Sequence, residues 1–134
     1  IMTKQETLRA LFDQNGLDKE DIFVLEMGAK KIPIITRTGI EKIQAKNNMK
    51  INFDLVYHSD DCKTAIVKAS GVMGESDTFV SIETYGEVST VNNTNKYPIA
   101  IAEKRALSRC VLKLSGFYAY GVFSEDESEE FKPK

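Results

Sequence analysis

The sequence predicts an α+β domain in which helices pack on an antiparallel β-sheet. Three strand-like runs, at 52–58, 64–73 and 79–89, follow one another through links short enough to make them antiparallel neighbours. Helical patterns precede and follow these runs, so the predicted order is α-β-β-α-β-β-β-α, with a β-β-β-α core. The length of 134 residues favours a single domain. We assign the domain to residues 1–124 and a solvated acidic tail, or the start of a linker, to residues 125–134.

A capping box opens the first predicted helix. The hydroxyl of Thr3 and the carboxylate of Glu6 have the spacing of this motif, and Gly16 is suited to end the helix. Apolar runs within residues 21–35 then predict two strands joined by a turn. Pro33 has no N–H to donate, which implies that it lies in an edge strand or at the start of the second strand.

The remaining elements follow from further caps and from alternation. Thr38 and Glu41 form a second capping box, which predicts a short helix through about Asn48. Apolar and polar residues alternate in the central runs, as in a sheet with one buried and one solvent-exposed face. Pro98 suits the first turn of a last helix, and Gly116 suits its end. The apolar segment after that helix is expected to pack on the domain.

Positive charge is concentrated in two segments although the net charge is −2. Residues 1–124 carry 16 Lys or Arg against 15 Asp or Glu, so the body of the chain is nearly neutral. Residues 29–50 nevertheless carry six cations and one acid, and residues 96–113 carry five cations and one acid. Such uneven charge favours a local binding surface for a polyanion over a uniformly basic protein.

The last helix carries the strongest candidate site. Arg105, Arg109 and Lys113 recur every four residues, which predicts a cationic ridge facing solvent. This ridge and the basic segment 29–50 are expected to form the two sides of a groove that binds nucleic acid. Tyr97 is a candidate for base stacking. The alternative is a solvated helix face without a ligand. The predicted nucleic-acid-binding residues are Arg37, Lys42, Lys46, Lys96, Lys104, Arg105, Arg109 and Lys113.

The stretch AEKRALSRCVLKLSGFYAYGVF, residues 102–123, resembles the single-strand DNA annealing proteins of the Rad fifty-two type. That family carries a helix with a Lys-Arg-Ala-Leu core before an aromatic and Gly-rich segment. Residues 32–49 resemble the family's strand followed by a helix, and residues 79–89 resemble its last strand before the basic helix. The resemblance covers roughly residues 30–123.

The resemblance implies a groove between sheet and helix that holds single-stranded DNA by its phosphates, inside an oligomeric ring. By position, Lys104 and Arg105 match the paired basic residues of the family's helix, and Arg37 matches the cation at the strand–helix junction. Ser108 stands where the family has a further basic residue, with Arg109 one position later. The resemblance also implies that the acidic tail recruits a partner protein.

The sequence gives less support to an enzymatic function. Residues 58–62 hold His, Asp and Cys side chains in a turn, but the chain has a single His, so neither a zinc site nor a His-based dyad is predicted. A nuclease using Asp54 or Asp61 with Lys68 lacks a paired acidic position. A metal-dependent nuclease and a protein-interaction module remain the alternatives. A Gly-rich phosphate loop with a following Lys is absent from the sequence, so ATP use is not predicted.

We therefore expect a non-enzymatic protein that binds and anneals single-stranded DNA in phage-type homologous recombination and repair. The prediction includes no catalytic residue, metal or cofactor. Its expected partners are single-stranded DNA, further copies of the chain in a homo-oligomeric ring, and a protein at the acidic tail. The native chain is expected to start at Met2. Without a membrane-length apolar run or a visible signal peptide, its expected location is the cytoplasm of a bacterial host.

Overall fold

The computed structural model describes residues 2–74, 79–94 and 96–128, and it confirms the α+β class. The described residues form three α-helices, which are α1 (Lys4–Gln14), α2 (Arg37–Lys46) and α3 (Pro98–Ser115). They also form six strands, which are β1 (Ile22–Met27), β2 (Lys30–Ile35), β3 (Lys50–His58), β4 (Ala65–Met73), β5 (Val80–Val88) and β6 (Phe123–Ser124). Short 3₁₀ turns occupy Lys19–Asp21 and Phe117–Tyr120.

The strands divide into two three-stranded sheets, where the sequence suggested one. The order is β1-β2-β6 in the first sheet and β3-β4-β5 in the second. The second sheet is antiparallel throughout, as predicted, whereas β6 pairs parallel to β2. The prediction that Pro33 marks an edge strand or a strand start is wrong, because β2 is the central strand of its sheet and Pro33 is its fourth residue. β6 pairs only with Ile34 and Ile35 of β2, so Pro33 lies beyond this pairing and its missing N–H costs no bond there.

Local caps account for the helix starts, with one correction. The Thr3 hydroxyl accepts a hydrogen bond from the Glu6 amide at 3.1 Å, so the predicted first cap is confirmed. The second helix starts at Arg37 with Thr36 as its cap, and the Thr36 hydroxyl accepts from the Gly39 amide at 3.1 Å. The predicted Thr38 cap is therefore wrong, because the residue two positions earlier provides the same oxygen.

The core lies between α3 and one face of the second sheet, and it continues beneath α2. Ala102 and Ala106 of α3 are fully buried against β5, where Gly86 lets the two backbones approach closely. Beyond α3, Gly116 ends the helix with φ of 89°, and Phe117 is fully buried. The apolar segment after the helix packs on the domain, as the sequence predicted.

The opposite face of the second sheet is not covered by any helix among the described residues. β3 is exposed along its whole length except at Ile51, and it is an edge strand. Of the helices in the described part of the chain, none combines the length and apolar character needed to cross a membrane.

Candidate nucleic-acid interface

Close packing of α3 on β5 determines where the basic side chains of the helix lie. A Cβ at Gly86 would collide with the backbone of Ala102 and Ala106, so the helix rests directly on the strand. Arg105 and Arg109 are on the flank of this contact, and both reach the outer edge of β5. The predicted ridge therefore faces a strand edge instead of open solvent.

Arg105 is fully buried, so the prediction that it faces solvent is wrong. Its Nη1 donates to the Glu87 carbonyl at 2.9 Å, and its Nη2 donates to the Asn92 carbonyl at 2.8 Å. Its Nε also points to the Asp126 carbonyl at 3.5 Å. A guanidinium held by three backbone carbonyls joins α3, β5 and the chain after β6, and it is not available to a phosphate.

Arg109 is held in a similar way. Its Nη1 donates to the Tyr85 carbonyl at 2.7 Å, and its Nε donates to the Glu127 carboxylate at 3.0 Å. The Glu127 side chain is only 2% exposed. Arg105 and Arg109 together bond the outward carbonyls of β5, which shields that edge from pairing with another strand.

The predicted acidic tail begins as a packed part of the domain. Residues 125–128, here called the acidic segment, follow β6 directly. Asp126 accepts from Arg37 Nη2 at 3.0 Å and from the Ser108 hydroxyl at 3.2 Å, while Glu125 accepts from the Arg37 amide at 2.6 Å. The Asp126 carboxylate raises the pKa of Arg37. The solvated-tail prediction is wrong for these residues, and residues 129–134 lie outside the described part of the chain.

Two further predicted cations also have partners within the chain. Lys42 Nζ lies 2.7 Å from the Asp21 carboxylate and 3.2 Å from that of Asp18, which ties α2 to the turn before β1. The hydrogen bond from Lys42 is the main reason why the pKa of Asp21 is lowered. Lys113 lies over the Tyr118 ring, with its Nζ 5.2 Å from the ring centre.

The remaining predicted residues are more accessible. Lys46 and Lys96 are exposed, and Lys104 is half-buried. No described acidic side chain forms an ion pair with any of these three lysines. Tyr97, the residue before α3, is 72% exposed.

A pocket of about 190 Å³ opens beside the first turn of α3. Its lining residues are Lys63, Thr90, Asn93, Thr94 and Pro98. The first amides of an α-helix have no acceptor within the helix, and they create a partial positive charge there. Of these residues only Pro98 belongs to α3, and its nitrogen carries no hydrogen, so it gives an anion no amide donor. What suits an anion here is the positive end of the helix dipole together with the lysine and two threonines of the lining.

Sequence reasoning missed Lys63, because this residue lies in the turn between β3 and β4 and outside both basic segments. Its place beside α3 depends on the long-range packing of that turn against the loop before the helix. Lys96 and Tyr97, which the sequence did single out, adjoin the same pocket along the chain. Lys63 thus lines the pocket at the start of α3, and the two predicted residues Lys96 and Tyr97 directly precede that helix.

The turn at 58–62 has an internal hydrogen-bond network. Asp61 accepts from the Ser59 hydroxyl at 2.7 Å and from the Lys63 amide at 3.0 Å, and the Lys63 amide is the main cause of its lowered pKa. His58 Nδ1 lies 3.8 Å from Cys62 Sγ. Within residues 2–74, 79–94 and 96–128, no three His, Cys, Asp or Glu side chains are grouped so that they could hold a metal ion.

Comparison of the chain with protein-family models, with curated proteins and with solved structures finds no match.

Proposed function

We propose that this protein binds single-stranded DNA without acting as an enzyme, and that it anneals complementary strands in phage-type recombination and repair. The observation that carries the proposal is the cluster at the start of α3. There Lys63, two threonines and the first residue of α3 line one pocket, and the exposed residues Lys96 and Tyr97 directly precede the helix.

The pocket supports a simple binding mechanism. A backbone phosphate enters beside Lys63 and the first turn of α3, and Lys96 neutralises a neighbouring phosphate. Tyr97 stacks on one base, which requires an unpaired strand because bases in a duplex are already stacked. Contacts to phosphates leave most base edges free, so two bound strands can pair without nucleotide hydrolysis, metal or cofactor.

The resemblance to annealing proteins of the Rad fifty-two type supports the same class of function, with altered residue roles. Lys104 retains a phosphate-binding role in this proposal, because it is partly accessible. Arg105 and Arg109 act as structural residues that hold α3 to β5 and to the acidic segment. We propose that the protein acts as a homo-oligomer, which in that family is a ring. Its proposed location is the cytoplasm of a bacterial host.

Fluorescence anisotropy with labelled single-stranded and double-stranded oligonucleotides tests the proposal at several salt concentrations. We expect a preference for single strands and a log–log salt slope of about −0.7 for each phosphate contact. Lys63→Glu and Lys96→Glu should each weaken binding for every base sequence and flatten the slope by about 0.7. Lys19→Glu, a charge reversal at an exposed lysine of the first 3₁₀ turn, is the matched control and should bind like the wild type.

Two results would contradict the proposal. The first is equal affinity for duplex and single strand, and the second is unchanged affinity in both pocket variants when their thermal melts match the wild type. Incubation of the same oligonucleotides with Mg²⁺, with and without EDTA, tests the nuclease alternative. EDTA-sensitive cleavage by the wild type would replace the annealing proposal with an enzymatic one.

A further inference from the structure

We propose that the outer edge of β3 is a self-association surface, where a second copy of this chain adds its own β3 in antiparallel pairing. The two strands would be related by a two-fold axis at Phe53, so each copy would use the same residues. The proposal does not depend on DNA binding, because it rests on the strand edges of the second sheet alone.

The two edges of the second sheet differ. At the β5 edge, the carbonyls of Tyr85 and Glu87 already accept hydrogen bonds from Arg109 and Arg105. At the β3 edge, no described element pairs with the strand, since the sheet order ends there. An incoming strand therefore finds a shielded edge on one side of the sheet and an open edge on the other.

The hydrogen-bond pattern identifies which residues of β3 present their backbone outward. Along a strand, successive residues direct their N–H and C=O groups to opposite neighbours. Because Tyr85 and Glu87 point outward from β5, Gly86 between them bonds to its partner Val67 on β4. The next residue of β4, Lys68, therefore bonds to β3.

The same alternation continues into β3. Lys68 is paired with Asp54, so Asp54 directs its backbone groups inward to β4. Its neighbours Phe53 and Leu55 must then direct theirs to the open edge, and so must Ile51. Three alternate residues thus offer unpaired donors and acceptors in the arrangement that an antiparallel strand requires.

The side chains at this edge are apolar and exposed. Phe53 and Leu55 lie on the α3 side of the sheet, opposite Ala69 and Val67 of β4, but they are 37% and 48% exposed because α3 does not extend over β3. A two-fold axis at Phe53 places the two phenyl rings opposite each other, with Ile51 of each copy opposite Leu55 of the other. Pairing would cover this apolar row on both chains.

Charge favours antiparallel pairing and this register. Lys50 and Asp54 lie on the other face of β3, in the regular part of the strand that precedes a bulge between Leu55 and Tyr57. Antiparallel pairing brings Lys50 of each copy diagonally close to Asp54 of the other, while a two-fold axis at Asp54 itself would oppose two carboxylates. The shielded β5 edge cannot repeat this pairing, so the β3 contact alone joins two copies, and a ring of more copies would need a second interface outside this sheet.

Sedimentation velocity without DNA, across the micromolar range, tests the interface. We expect reversible dimerisation of the wild type. Phe53→Pro removes the outward N–H while leaving the bonds to β4 intact, and Leu55→Lys places charge in the apolar row; each should weaken the dimer at least about tenfold. Tyr85→Lys changes an exposed side chain on the opposite edge strand and should dimerise like the wild type. Circular dichroism establishes that each variant is folded.

Disulfide trapping gives a second, independent readout. Facing residues in a hydrogen-bonded pair have Cα atoms about 5.5 Å apart, which lies within the range for a disulfide. Phe53→Cys in a Cys62→Ser background should therefore form a cross-linked dimer on mild oxidation, whereas Tyr85→Cys should not. Burial raises the pKa of the Cys110 thiol, which keeps this native cysteine unreactive.

Three results would overturn the proposal. One is a wild type that stays monomeric throughout the micromolar range. Another is a folded Leu55→Lys variant that dimerises as strongly as the wild type, which would place any interface elsewhere. The third is equal cross-linking of the Phe53→Cys and Tyr85→Cys variants. DNA binding does not enter any of these measurements, so they leave the proposed function unaffected.

Discussion

Arg109 and Glu127 form an ion pair of 3.0 Å in which the carboxylate is 2% exposed. This contact joins the middle of α3 to the acidic segment, which the sequence suggested was solvated. An acidic side chain is rarely buried to this extent without a charged partner. The ion pair therefore explains why the chain folds back onto α3 after β6 instead of leaving the domain.

Glu127→Gln should reduce the free energy of unfolding by about 2 kcal/mol, because the Arg109 guanidinium would lose its charged partner in a largely buried position. Urea denaturation measures the change. Glu26→Gln, at an exposed position of β1, is the control. In a double-mutant cycle with Arg109→Met, a coupling energy below about 0.5 kcal/mol would show that the ion pair is not stabilising.

Arg105→Met should reduce the free energy of unfolding by about 3 kcal/mol, since the Glu87 and Asn92 carbonyls would lose their donors in a buried setting. Lys104→Met, one position earlier, should change it by no more than about 0.5 kcal/mol. Chemical denaturation of both variants gives the comparison. If Arg105→Met were as stable as the wild type, the carbonyl contacts of Arg105 would not contribute to stability.

Gly86→Ala should destabilise the protein by about 3 kcal/mol, because the added Cβ forces α3 away from β5 at Ala102 and Ala106. Ser81→Ala, on the exposed face of the same strand, should be nearly neutral. Thermal melts of the two variants test this. Equal melting temperatures would mean that the helix can shift on the sheet without cost.

Stability should fall in acid through Asp21. The Lys42 hydrogen bond lowers the pKa of Asp21 below its usual value of 3.8 in the folded protein. Its ionised form therefore stabilises the fold above that value, and the stabilisation disappears as pH decreases through the lower, folded-state pKa. The wild type should lose its advantage over Asp21→Asn below about pH 4. Melts of both proteins from neutral pH downward should converge, and a constant difference would contradict the assignment.

Sequence periodicity located the elements well, because they depend on local signals. Pro98 and Gly116 marked the ends of α3, and alternation marked the strands of the second sheet. The same periodicity placed Arg105 and Arg109 on one helix face but could not tell what covers that face. Their partners are carbonyls of β5 and of the loop after it, together with the acidic segment, which only the three-dimensional packing brings close.

In the candidate site too, the sequence predicted the residues that have a local signal and missed the one that depends on three-dimensional packing. Lys96 and Tyr97 stand out in the sequence because they precede a basic helix. Lys63 has no such local signal, since a lysine in a polar turn is common and its neighbours in space are more than twenty residues away along the chain. The sequence also did not predict β6, because this strand is only two residues long and lies far from its partner β2 along the chain.

The parallel pairing of β6 with β2 has a consequence for the order of folding. Beside this pairing, Glu125 accepts a hydrogen bond from the Arg37 amide, and the two residues are 88 positions apart. The β1–β2 hairpin can form early during synthesis, but its third strand reaches the ribosome exit only after α3 has been made. Closure of so distant a contact is slow compared with hairpin and helix formation. Stalled nascent chains ending before and after β6, probed by limited proteolysis, should therefore differ in the protection of β2 and not in that of the β1–β2 turn.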